Sequence, residues 1–201
     1  IDMAGATGEE AWKARAAFLT PLVKNYGTET GISVADTGIQ VHGGMGYVEE
    51  TGAAQFARDV RVTAIYEGTN GIQGMDLVGR KLADGGAAAF ALIDEVMETA
   101  GRAQSEALAA TAGALRAGVE HMLALDLNDR FAGSVPFARA FALTLGGHYH
   151  LRAALADPEG PRARLARSYL ARQMAAVPAL LAEAGHGASD LYALSPGDLA
   201  A

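Results

Sequence analysis

The sequence predicts an all-α protein, and three observations carry that prediction. Apolar residues recur at three- and four-residue steps along most of the chain, the spacing of a helix face. Alternating runs rich in β-branched residues, the mark of strands, are almost absent. The second half is rich in alanine, a strong helix former, and shows no internal repeat. Helices joined by short connections imply an antiparallel bundle.

Taken in order, a first helix is expected on the stripe Trp12, Ala16, Leu19, Val23 and Tyr26, stopping at Gly27. A second runs from about Thr30, with Ile32, Ala35, Ile39 and His42 on one face, and ends at "HGGMG". A shorter one, "GAAQFARDVRV", carries Ala54, Phe56 and Val60. Then comes "IYEGTNGIQ", whose Thr69 or Asn70 suits an N-cap, before a helix striped by Ile72, Met75, Gly79 and Leu82. The Asp-Gly-Gly within "LADGGAAA" breaks the pattern and divides the chain into residues 1–83 and 84–201. Four helices are expected beyond it. Phe90, Ile93, Met97 and Ala100 mark the first; Leu108, Ala112, Leu115, Val119 and Met122 mark the next. The third has Ser134 as N-cap and Pro136 in its first turn, and the last runs from 161 to about 183 with a kink at Pro178. The tail after it reads as irregular.

Composition narrows the function. Half of the residues are hydrophobic and 19% charged, as in a folded soluble protein. The net charge of −7 argues against a general nucleic-acid surface. No apolar run reaches membrane-spanning length, because "FARAFALTLGGHYHLRAALA" is broken by arginines, a glycine pair and histidines. The absence of cysteine removes disulfides and thiolate chemistry and fits a reducing, cytoplasmic setting. No signal peptide is visible, and a start without Met suggests a piece of something longer. His148 and His150, two apart on a helix, point to different faces, so no metal site is expected.

Taken alone, Glu67 is an ordinary acid near a helix start. The paired glycines of "QVHGGMGY" are equally ordinary as a helix stop, and they match neither a Rossmann fingerprint nor a P-loop. Their order and spacing are more specific. "IQVHGGMGYVEE" followed by "ARDVRVTAIYEGTNGIQ" resembles the C-terminal helical domain of the flavin-dependent acyl-CoA dehydrogenases, over residues 9 to 82. The resemblance rests on Gln40, Gly43, Gly44, Gly46, Arg58, Asp59, Ile65, Tyr66, Glu67, Gly68, Thr69, Ile72 and Gln73.

The resemblance implies that Glu67 is the base removing the α-proton of an acyl-CoA thioester, while FAD takes the β-hydride. A carboxylate suits that task when desolvated. It implies that the Glu67 N–H polarises the thioester carbonyl, with Tyr66 and Gly68 beside the substrate. Thr69 would lie near the ADP portion of FAD, and Gln40, Gly43 and Gly44 would reach the FAD diphosphate of a neighbouring subunit in a homo-oligomer. Electron-transferring flavoprotein is the partner the family implies. One position departs: many members carry Gln where this chain has Gly71. Arg58 and Asp59 read as a structural ion pair or cap.

Residues 84–201 are similar to the extra helical module of longer family members. They are expected to pack against the core and shape access to the acyl pocket. The family's N-terminal and β-domains have no counterpart here. The competing reading is therefore a non-catalytic helical module for oligomer contact.

Overall fold

The computed structural model describes residues 1–200, and among them no strand occurs. The helices are α1 (Asp2–Thr7), α2 (Glu10–His42), α3 (Gly44–Tyr47), α4 (Ala53–Arg61), α5 (Asn70–Asp76) and α6 (Ala87–Arg102). They continue with α7 (Glu106–Ala124), α8 (Leu127–Ala132), α9 (Ser134–Ala156), α10 (Pro161–Arg172), α11 (Val177–Ala184) and α12 (Ser189–Tyr192). The all-α class read from periodicity is the observed one.

Several boundaries differ from expectation, each for a physical reason. Gly27 does not stop a helix: α2 runs through it for 33 residues, about 50 Å at 1.5 Å per residue. An interior glycine costs only about 1 kcal/mol, and here α2 is packed on both sides of it, by α5 and α9 towards its start and α4 along its second half. The buried face is Phe18, Pro21, Leu22 and Asn25, whereas Val23 is 69% exposed. On α4 only Ala54 is buried and Phe56 is 72% exposed. Ser134 does not cap α9; its Oγ donates back to the Phe131 carbonyl at 2.8 Å, and Gly133 precedes the helix. The last expected helix is two, α10 and α11, separated by a 3-10 turn over Met174–Ala176, with Pro178 in the first turn of α11. The short α8 had no periodic stripe to reveal it; its Asp126 N-cap accepts from the Asp129 N–H at 3.0 Å.

The centre of the fold is α9, which packs against α2, α5, α6, α7, α10 and α11. Its Phe141 ring lies 5.0 Å from Phe18 of α2 and 6.1 Å from Phe137. All five residues expected on the α7 stripe are buried. One hydrophobic cluster joins Phe18, Leu22, Leu77, Val78 and Leu82 to Leu92, Leu115 and Phe141, so the core crosses the turn at 83–86. Between α5 and that turn the chain adds a π-helical stretch, Leu77–Lys81, whose Leu77 and Val78 are fully buried. This packing anchors α5, and with it the segment immediately before it.

Candidate active site

The segment 65–69 is held between two short helical pieces. A 3-10 turn over Val62–Ala64 precedes it, with the Ile65 and Tyr66 N–H groups donating to the Val62 carbonyl at 2.9 and 3.1 Å. At the far end Thr69 is the N-cap of α5, its Oγ1 accepting from the Ile72 N–H at 3.4 Å. Between them the backbone turns left-handed, at φ +54° for Glu67 and +82° for Gly68. Gly68 takes this conformation without steric cost, but Glu67 carries a Cβ that makes it unfavourable by about 1–2 kcal/mol.

Side chains from two helices compensate. Gln73 Nε2 donates to the Glu67 carbonyl at 3.0 Å. Lys24 Nζ donates to the Thr63 carbonyl at 2.6 Å and to Asn70 Oδ1 at 3.3 Å, tying together residues on either side of the loop. The same ammonium lies 5.8 Å from the centroid of the Tyr66 ring, within cation–π range. Asn25 and Asn70, both buried, exchange bonds: Asn25 Nδ2 to the Asn70 carbonyl at 2.7 Å, and Asn70 Nδ2 to the Asn25 carbonyl at 3.3 Å. Thr28 Oγ1 adds a bond to Asn70 Oδ1 at 3.0 Å. Of these partners, sequence reasoning singled out Asn70 as a cap and Gln73 as part of the motif. Lys24, Asn25 and Thr28 carry no local signal, because they act 39 to 46 positions away from the groups they hold.

Glu67 and Gly68 open onto a cavity of about 360 Å³, walled by Ala17, Thr20 and Pro21 of α2 on one side and by Gln73 and Arg80 on the other. Arg80 is paired with Asp76, Nε to Oδ1 at 2.6 Å and Nη2 to Oδ2 at 3.1 Å, so its charge is already matched. Among the described residues no acceptor takes the Glu67 N–H. The Glu67 side chain is exposed, so this chain by itself does not supply the desolvation expected for a base.

Tyr66, Glu67, Gly68 and Thr69 thus form one site. Gln40, Gly43 and Gly44 do not join it. They sit at the opposite end of α2, about 30 Å from Thr20 by the helix rise. There α3 folds back on the end of α2, and Gly46 permits it: a Cβ at 46 would collide with the Ile39 carbonyl and lie 2.8 Å from His42 Cβ. Gly43 and Gly44 are different, because a Cβ on either would meet nothing within 4 Å, leaving bare main chain open to approach. Gly71 is also open, with only Thr69 Oγ1 at 4.0 Å from a hypothetical Cβ, so the departure there does not arise from crowding. These exposed residues fit the margin of a flavin site and do not enclose one.

Arg58 pairs with Glu49, Nη2 to Oε2 at 2.6 Å, and not with Asp59; both side chains are largely solvated. His148 is buried, and His150 lies 4.6 Å from the Tyr169 ring. Among the described residues no three His, Asp or Glu gather as a metal site, and no helix is long and apolar enough to cross a membrane.

With fold and site in place, comparison with known proteins bears on the class. Residues 4–82, under half of the chain, match the family described as "Acyl-CoA dehydrogenase, C-terminal domain". It is 44% identical over 153 residues to 3-methylmercaptopropionyl-CoA dehydrogenase of Ruegeria pomeroyi, a match covering 68% of this chain and 26% of that protein. It is 42% identical over 85 residues to butyryl-CoA dehydrogenase of Syntrophomonas wolfei, covering 40% of this chain and 14% of that one. The human mitochondrial short-chain specific acyl-CoA dehydrogenase is 41% identical over 61 residues, 30% of this chain and 15% of that one. The chain therefore spans about a quarter of the length of the first of these relatives.

Proposed function

We propose that the chain is the C-terminal portion of a flavin-dependent acyl-CoA dehydrogenase, with Glu67 as the base that removes the α-proton of an acyl-CoA thioester. The observation that carries this reading is the Glu67 turn. A solvated surface acid needs no left-handed backbone, and none of the struts from Gln73, Lys24 and Asn70. In this reading the carboxylate takes the α-proton, and the unengaged Glu67 N–H polarises the thioester carbonyl against the developing negative charge. Tyr66 and Gly68 border the acyl group. FAD, when bound, accepts the β-hydride, leaving an α,β-unsaturated thioester.

Thr69 stands next to Glu67 and is assigned to the FAD of the same subunit. Gln40, Gly43 and Gly44 are too far along α2 to share that flavin, which supports their assignment to the FAD of a neighbouring subunit in a homo-oligomer. The exposed apolar side chains of Val34, Val41, Tyr47 and Phe56 near that end support an oligomeric contact as well. The missing desolvation of Glu67 is assigned to the rest of the enzyme closing over the open cavity. Residues 84–201 are assigned as an added module that buttresses α2 and α5 and shapes access to the acyl group. Electron-transferring flavoprotein is the proposed acceptor, and the cytoplasm the proposed location.

The exposure of Glu67 favours one competing reading, a non-catalytic helical module for oligomer contact. Glu67→Gln in the complete enzyme separates the two. Full flavin content with turnover reduced by about 10³-fold or more is expected of a lost base. Turnover near that of the unmodified enzyme would mean that another residue is the base.

A further inference from the structure

We infer that Gln73 is a positioning residue for Glu67, a role that rests on the reading of Glu67 as the base. Its backbone is fixed in α5, where its N–H donates to the Thr69 carbonyl at 2.9 Å. From that rigid base its side chain reaches back six residues, and Nε2 donates to the Glu67 carbonyl at 3.0 Å. That carbonyl belongs to the peptide plane between Glu67 and Gly68. Holding the plane constrains ψ of Glu67 and φ of Gly68, the latter at +82°, and so sets the directions of the Glu67 Cα–Cβ and Cα–N bonds relative to it. The direction of its carboxylate and of its N–H follows from that backbone conformation. A strut on the carbonyl therefore aims both groups without touching either.

The neighbouring residues leave this task to Gln73. Among positions 70–73 only Asn70 and Gln73 carry polar side chains, and Asn70 is bonded to α2. Gly71 has no side chain, and Ile72 offers no donor. Gly68 keeps the path clear, because a Cβ there would come within 3.1 Å of Gln73 Nε2. The amide is also the right chemical choice. A carboxylate of the same length would face the carbonyl with an acceptor and push the loop away when ionised.

The test compares Gln73→Met, which keeps length but has no donor, with Gln73→Lys, which restores one, in the complete flavoenzyme. For Gln73→Met, kcat is expected to fall about ten- to a hundred-fold, the scale of a small misplacement of a reacting group. KM is expected to stay within about twofold, since ground-state binding is not removed. Flavin content and melting temperature should be unchanged, and backbone amide exchange at residues 66–69 should accelerate. Gln73→Lys should recover part of the rate and the protection. Unchanged kcat, unchanged exchange, or a loss that disappears when rates are expressed per bound flavin would each overturn the inference. Glu67→Gln keeps the two claims apart. If that variant stays active, the reading of Glu67 fails and Gln73 has no base to position. If it is inactive while Gln73→Met behaves as the unmodified enzyme, the base stands and the positioning role falls.

Discussion

Asn70 engages α2 through both ends of its side-chain amide, accepting from Lys24 and Thr28 and donating to the Asn25 carbonyl. Replacing it with alanine leaves the Asn25 and Lys24 groups short of partners in a buried setting. Asn70→Ala is expected to lower unfolding stability by about 1–3 kcal/mol, read as a lower denaturation midpoint in urea with an unchanged slope. At this scale the sequence made Glu67 legible, because its neighbours Tyr66 and Gly68 and the upstream glycines form a recognisable order. The frame around it was much less so. The Gln73 bond depends on a left-handed Glu67 that no propensity favours, and the Lys24 and Asn25 bonds depend on how α2 lies across α5. An N-cap at Thr69 was legible, since it is local chemistry.

Among the elements, α9 shows what tertiary contact does to local reading. Its stripe is hard to read because the helix is surrounded, with buried residues on nearly every face from Ser134 to His148. The α7 stripe was read correctly because that helix buries one face only. His148 is the titratable group α9 carries into the interior, with its Nδ1 unpartnered. Burial first, then Arg152 and Arg15, hold its pKa below the usual 6.5, while Glu95 and Glu98 of α6 pull the other way without prevailing. The neutral ring is therefore preferred in the folded state, and the unfolded state binds the extra proton. Stability tied to His148 is intact above pH 6.5 and declines as pH falls below it. The melting temperature should drop as pH falls below 6.5, and His148→Gln should flatten that drop. An identical slope in the variant would place the acid sensitivity elsewhere.

For the whole molecule, the family match ends at Leu82 while the hydrophobic core continues. Leu77, Val78 and Leu82 are completely buried, and their covering comes in part from Leu92, Leu115 and Phe141 beyond the turn. A chain ending at Asp84 should consequently lose its cooperative thermal transition, as followed by circular dichroism. A sharp transition in that fragment would show that residues 1–84 fold without the rest of the chain. Whether the complete protein is a dehydrogenase turns on Glu67, and solvent-deuterium exchange at the α-carbon of a bound acyl-CoA reads its chemistry directly. The complete flavoenzyme should exchange that proton rapidly, and Glu67→Gln, with its flavin retained, should abolish the exchange. Undiminished α-carbon exchange in Glu67→Gln would contradict the assignment of the base.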